Sequence, residues 1–426
     1  MNPEKVCVLG LGYVGLPTAA AIATQRIPVV GVDINPATVD TINDGRIHLV
    51  EPELDVAVQA TVTRGFLTAS TTPEKADAFL LAVPTPFKED REPDLSYIEA
   101  AAKSIAPLLE VGNLVILEST SPVGATETLS KWLAEQRPDL TFPHDAGDAS
   151  DIRVAHCPER VLPGKVMFEI SHNDRVIGGI SPACGQAAKQ LYETFVRGEC
   201  VVTDARTAEL CKLTENASRD VNIAFANELS LVCDRLGVDV WELIELANRH
   251  PRINILQPGP GVGGHCIAVD PWFIISQARE QTPLMQAARA VNDTKPNWVE
   301  DKVEEAIGRF IEMNPSRKQE DVSVACFGLA FKADIDDLRE SPALAIALRL
   351  AEAHPGPVIG VEPNIETLPD SCKGSKLKLE STEQALLTAD VYVLLVDHRQ
   401  FRGFNPTRAG RVTVDTRGIW KPEATA

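Results

Sequence analysis

Val6-Cys7-Val8-Leu9-Gly10-Leu11-Gly12-Tyr13-Val14-Gly15 runs four apolar residues into three glycines spaced two and three apart, and an Ala-rich segment follows. A short strand, a tight turn and a helix account for that pattern. The first glycine makes the turn, the second lets a pyrophosphate approach the backbone, and the third lets helix pack on strand. Asp33 closes the next apolar run, Val29–Val32, and stands 18 residues after Gly15. A carboxylate there binds both ribose hydroxyls and repels a 2′-phosphate, which favours NAD over NADP. Gly10, Gly12, Tyr13, Val14, Gly15 and Asp33 are therefore the expected cofactor contacts. The same glycines, with Pro17, interrupt the uncharged run from Val6 to Gln25. No basic cluster precedes that run, so a signal peptide or membrane span is not expected.

Working outward, apolar runs alternate with helical periodicity. Val6–Leu9, Val29–Val32, Phe79–Val83, Val115–Leu117 and Val154–His156 read as strands, with Val176–Ile180 and Val201–Val202 completing the set. Such alternation implies a doubly wound α/β sheet. Pro138–Asp151 reads as a surface loop. From Ala205 to Leu236 the sequence lacks Gly and Pro, and Leu210, Leu213, Ala217, Val221, Ala224 and Val232 recur at helical steps, predicting one long helix. Helical sequence resumes up to Met313, and Asn314–Lys318 reads as a linker. Alternation then restarts at Val322–Phe327, Val358–Val361, Val391–Val396 and Val412–Val414. The expected domains are residues 1–204, 205–313 and 314–426: two Rossmann-like domains joined by a helical middle. The long helix offers a natural surface for a homodimer or higher homo-oligomer.

The chain has 426 residues and a formal charge of −19, a field that repels nucleic acid and anionic membranes. An anionic ligand must therefore rest on local cations and amide dipoles. Nine scattered cysteines without a CxxC pair suit reduced thiols in the cytoplasm, with neither a disulfide framework nor a metal site.

Pro258-Gly259-Pro260-Gly261-Val262-Gly263-Gly264-His265-Cys266-Ile267-Ala268-Val269-Asp270-Pro271-Trp272-Phe273, with four glycines and two prolines in its first seven residues, fits neither helix nor strand and reads as a fixed loop. It delivers one thiol, an imidazole beside it and a carboxylate four positions on. A cysteine in a Gly-rich turn is ordinarily a small buried hydrophobe. This wording instead resembles the cysteine loop of the UDP-glucose/GDP-mannose dehydrogenase family, and other segments match that family in order along almost the whole chain.

The resemblance implies NAD-dependent oxidation of a UDP-sugar at C6, with Cys266 as nucleophile. A thiol adds to an aldehyde, and the thioester formed on further oxidation is hydrolysed to acid. Ala208–Ala217 matches the family segment whose Lys and Asn, here Lys212 and Asn216, stabilise an oxyanion. On residue types alone the pair would serve equally as a solvated helix face. Asp270 matches the aspartate that orients the lysine or the hydrolytic water, and Glu159, in His156–Arg160, the group that activates this water. Thr120, in Glu118–Gly124, and Thr85, in Val83–Pro86, match loops flanking the nicotinamide. Arg252, Lys332 and Arg417 match cations that reach the substrate, and Arg339 one that reaches toward the cofactor. Arg160, Gly263 and His265 complete the expected substrate contacts. His265 and Ala268-Val269 depart from the UDP-glucose branch and resemble the branch acting on UDP-N-acetyl-D-mannosamine. UDP-N-acetylglucosamine and UDP-glucose remain alternatives, as does a non-catalytic NAD-sensing protein on the same scaffold.

Overall fold

A computed structural model describes residues 3–49, 51–88, 91–161, 164–264, 266–404, 406 and 411–420. The chain divides into two compact units: Met1–Glu215 with Trp272–Arg279, and Asn216–Pro271 with Glu280–Ala426.

The first unit is built on eight strands: β1 (Val6–Leu9), β2 (Val29–Val32), β3 (Leu67–Ser70), β4 (Ala78–Leu81), β5 (Leu114–Leu117), β6 (Arg153–His156), β7 (Arg175–Gly179) and β8 (Cys200–Asp204). They lie in the order β3-β2-β1-β4-β5-β6-β7-β8. All neighbours are parallel except β6 and β7, a reversal the apolar runs do not announce. Val6 and Val8 of β1 enter one core while Cys7 and Leu9 enter the other. Both faces are thus covered, which is why these strands read as continuous apolar runs. The order reverses beside β1, so the carboxyl ends of β1 and β4 flank the crevice in which sheets of this kind bind ligands. Pro138–Asp151, expected as loop, contains a short helix at Pro143–Ala146 started by its proline.

The second unit carries five parallel strands, β9 (Val324–Phe327), β10 (Val358–Val361), β11 (Lys378–Leu379), β12 (Val391–Leu394) and β13 (Val412–Asp415), in the order β11-β10-β9-β12-β13. Val324 and Cys326 face one core, and Ala325 and Phe327 the other. The long helix runs Ala205–Leu236, and a second one runs Pro283–Met313. Leu213, Ala217 and Ala224 of the first are buried, whereas Leu210 and Val232 are 43% and 46% exposed. Asp220 and Asn227 take further inward positions. Asp220 accepts bonds from Arg289 and Asn292 of the second helix at 2.6 and 2.8 Å, and Asn227 donates to Asn292 at 2.9 Å. Lys295 continues this polar seam, bonded to Ser230 at 2.6 Å and lying 3.5 Å from the Trp298 ring centroid. No helix among the described residues is long and apolar enough to cross a membrane.

Candidate active site

The three glycines after β1 have separable steric roles. Gly10 sits at φ 89, and its N–H donates to the Val32 carbonyl at 2.8 Å. A Cβ there would strike the Ala82 carbonyl, and one on Gly15 would strike the Gly10 carbonyl. Gly12 has nothing within 4 Å of the position a Cβ would take. That opening, beside the amino end of helix Gly15–Thr24, is the cradle a pyrophosphate requires. Tyr13 and Val14 lead into the helix. Asp33 is held across the turn by the Leu11 N–H at 3.1 Å and the Asn35 N–H at 2.9 Å. These residues fit NAD, which supplies the hydride acceptor when bound.

Two further loops leave the same edge of the sheet. Thr85 Oγ1 donates to the Thr120 carbonyl at 2.6 Å, and Ser119 Oγ donates to the Val83 carbonyl at 2.6 Å. Thr85 and Thr120 are thereby brought together. The far end of the second loop is clamped by buried Glu209, which accepts the Gly124 and Thr126 N–H groups at 2.6 and 2.7 Å.

Glu159 follows β6 and is buried. One oxygen pairs with Arg175 and the other accepts the Arg160 N–H at 2.7 Å. Both oxygens of Glu159 are thus held in place. Arg160 is itself engaged by Glu215 at 2.7 Å and the Asp174 carbonyl. Glu118, at the end of β5, belongs to this cluster, with Tyr192 Oη donating to it at 2.6 Å. Burial, and then the charge of Glu159, pushes the Glu118 carboxyl up to about 7. Arg175 and Tyr192 have no counterpart in the sequence reading, and Glu118 enters it only as the first residue of Glu118–Gly124, with no role of its own. Their only signal was position, Glu118 closing a strand at the ligand-facing edge.

In the second unit the cysteine loop is seated through its glycines. A Cβ on Gly259 would lie 2.6 Å from an Arg417 nitrogen, one on Gly261 2.9 Å from Pro342, and one on Gly263 2.5 Å from the Glu340 carbonyl oxygen. The Gly259 N–H donates to Asn227 at 2.9 Å, which ties the loop to the polar seam. Cys266 is the one exposed thiol among the nine cysteines, all of them described; Cys211 is half-buried and the rest buried. Its carbonyl accepts the Asp270 N–H at 2.8 Å, where helix Asp270–Gln277 begins. The buried Asp270 carboxylate accepts from Asn216 Nδ2 at 2.5 Å. Cys266, Asp270 and Asn216 are therefore joined through a backbone bond and a side-chain bond, with Lys212 one turn before Asn216 on the long helix. His265 lies outside the described residues.

The remaining cations of this unit differ in setting. Lys332 and Arg252 are exposed. Arg339 makes a two-pronged contact with Asp337 at 2.8 and 2.6 Å. Arg417 is paired with Asp397 at 2.8 Å and lines a cavity of about 540 Å³ with Trp241, Glu245, Asn248, Arg249 and Gln257.

With this geometry in hand, similarity to known proteins is informative. Residues 4–196 match the NAD binding domain of the UDP-glucose/GDP-mannose dehydrogenase family, 206–294 its central domain and 325–422 its UDP binding domain. The chain belongs to the UDP-glucose/GDP-mannose dehydrogenase family. Within this family of NAD-dependent enzymes it is 61% identical, over 99% of its length and 98% of the relative's, to an NDP-N-acetyl-D-galactosaminuronic acid dehydrogenase from Ralstonia nicotianae. It is 59% identical to the UDP-N-acetyl-D-mannosamine dehydrogenase of Escherichia coli K12, over 99% of this chain and 100% of that one. The solved structure of a UDP-D-ManNAc dehydrogenase from Pyrococcus horikoshii superposes with a TM-score of 0.87 at 36% identity, covering 99% of this chain and 97% of that one.

Proposed function

We infer that the chain oxidises the C6 hydroxymethyl of UDP-N-acetyl-D-mannosamine to the carboxylate, supplying UDP-N-acetyl-D-mannosaminuronate for surface polysaccharide. Two NAD and one water are consumed per sugar, giving two NADH. The observation that carries this reading is the exposed Cys266 thiol on a glycine-seated loop, with the Asp270–Asn216 pair bonded behind it.

In this reading Cys266 adds to the C6 aldehyde. The sulfur–carbon bond forms as the carbonyl becomes a thiohemiacetal, whose oxidation leaves a thioester. Water then attacks the acyl carbon, and the sulfur departs as thiolate. Asn216 and Lys212 donate to the oxygen that gathers charge at each addition; one such donor contributes about 3–4 kcal/mol to the barrier. Asp270 fixes the Asn216 amide for that task. Glu159, restrained by Arg175, orients the hydrolytic water together with Thr120, while Thr85 shapes the nicotinamide side. Lys332, Arg252, Arg417, Arg160, Gly263 and His265 contact the nucleotide sugar, and Arg339 reaches toward the cofactor. Exposed Phe225, Val232 and Leu236 share one face of the long helix and support a homodimer.

The test is NADH counted per sugar. Two per UDP-N-acetyl-D-mannosamine are expected, and Cys266→Ser should stop acid formation while NAD still binds. Undiminished acid production by that variant refutes the thioester route. The Ralstonia relative favours a second reading, a galacto-configured N-acetylhexosamine. Side-by-side turnover of the manno, galacto and gluco UDP-N-acetylhexosamines and UDP-glucose decides between them.

A further inference from the structure

The turn from Gly328 to Asp334 is pinned at both ends. Glu362, after β10, accepts the Leu329 and Ala330 N–H groups at 2.8 and 3.0 Å. Buried His398 accepts the Asp334 N–H on Nδ1 at 2.9 Å, so its proton lies on Nε2 and is donated to Glu362 at 3.0 Å. Asp334, at φ 62, in turn accepts the Arg399 N–H at 3.0 Å. Between these anchors Lys332 is exposed and Phe331 half-buried.

Phe331 carries the cysteine loop. A Cβ on Gly264 would lie 3.0–3.4 Å from three carbons of the Phe331 ring, and one on Gly263 would lie 3.0 Å from the Phe331 Cβ. The loop's main chain thus rests directly on this side chain, two residues before Cys266. Gly264 also sits at φ +82, a conformation that L side chains rarely adopt.

We propose that Phe331 is a positioning residue through which a nucleotide diphosphate bound at Lys332 sets the placement of the Cys266 thiol. The proposal rests on the functional reading above, in which Lys332 meets the nucleotide and Cys266 attacks the sugar. Lys332 and Phe331 are consecutive in a turn whose ends are fixed to the sheet, so a displacement at one is passed to the other. The ring in turn has glycine backbone, not a yielding side chain, against it. A thiol misplaced by about 1 Å loses on the order of a hundredfold in rate, which makes so small a coupling consequential.

The experiment compares wild type, Phe331→Ala and the bulkier Phe331→Leu, with thermal melting to confirm that each is folded. UDP, which has no sugar to cover the thiol, is the probe. The rate of Cys266 alkylation by iodoacetamide, mapped by peptide mass spectrometry, is measured with and without it. In wild type UDP is expected to change that rate about threefold or more. In Phe331→Ala the response vanishes and kcat falls about a hundredfold, while the UDP Kd stays within about threefold; Phe331→Leu restores part of both. A UDP response that persists in Phe331→Ala, or an unchanged kcat, overturns the proposal. Wild type that binds UDP without any change in alkylation overturns the coupling alone, whereas wild type that fails to bind UDP overturns the functional reading with it.

Discussion

The amino-terminal halves of the two sheets start from the same design and finish differently. Gly10 and Gly328 follow β1 and β9 at φ 89 and 87, and their N–H groups donate to Val32 and Val361, each at 2.8 Å. Gly31 and Gly360 make room for Leu11 and Leu329. Asp33 and Glu362 then reach back to the amides of those leucines. Divergence begins at the next position, where Gly12 leaves open space and Ala330 is fully buried. The acids diverge as well: Asp33 is half-exposed, whereas Glu362 is buried under His398. One turn leaves open space beside its acid. In the other, His398 covers the acid, and the turn presents its exposed tip instead. A single supersecondary unit thus yields a cofactor cradle or a rigid bracket, depending on what covers its acid.

Removing the cover is the most disruptive way to test this. Burial alone would raise the Glu362 carboxyl, but the His398 bond and the Leu329 and Ala330 amides outweigh it and hold it below the usual range. His398→Ala leaves that charge short of a donor beside a new cavity, so a loss of about 3–4 kcal/mol in urea unfolding is expected.

A second contrast between the units is electrostatic, and it appears as pH-dependent stability. Folding raises the Glu118 carboxyl from 4.5 to about 7, so the folded state binds more protons across that window. Stability should fall by up to about 3 kcal/mol as pH rises through it, and Glu118→Gln should flatten the slope. Lys295 has the opposite sign: burial, opposed only by Asp234, lowers it from 10.5 to about 7. The unfolded state then binds more protons between those values, so stability should rise with pH there, and Lys295→Met should remove the rise. Urea midpoints measured from pH 4 to 10 check both.

Filling the open cradle comes next. Gly12→Val should weaken NAD binding about a hundredfold, near 3 kcal/mol, by fluorescence titration, while Ala330→Gly leaves it unchanged. The smallest effect expected is from Asp33→Asn, about tenfold in NAD affinity with little change in urea midpoint.

Much of the α/β architecture was legible because buried parallel strands are unbroken apolar runs. Two of the four edge strands escaped notice: Leu67–Ser70 has one core residue, and Lys378–Leu379 is only two residues long. The ends of the long helix were readable from the absence of Gly and Pro, but its buried face only in part, at Leu213, Ala217 and Ala224. Hydropathy assigns Asp220 and Asn227 to solvent, yet they are buried because Arg289 and Asn292 pair with them. At the candidate site, the glycine turn was readable because spacing alone fixes three steric roles. The pairing of Asn216 with Asp270, 54 positions apart, and the enclosure of Glu159 by Arg175 and Glu118 depend on tertiary approach, which no local pattern encodes.

The seam between the two long helices has one further consequence. Apolar helix faces can slip past each other by a turn, about 5.4 Å, and still find oily contacts. Asn227 engages Asn292 and the Gly259 N–H together, so such a slip would orphan every buried partner in one step. The height at which the thiol is offered is therefore indexed like a tooth in a ratchet, with no intermediate setting at which the chain could rest.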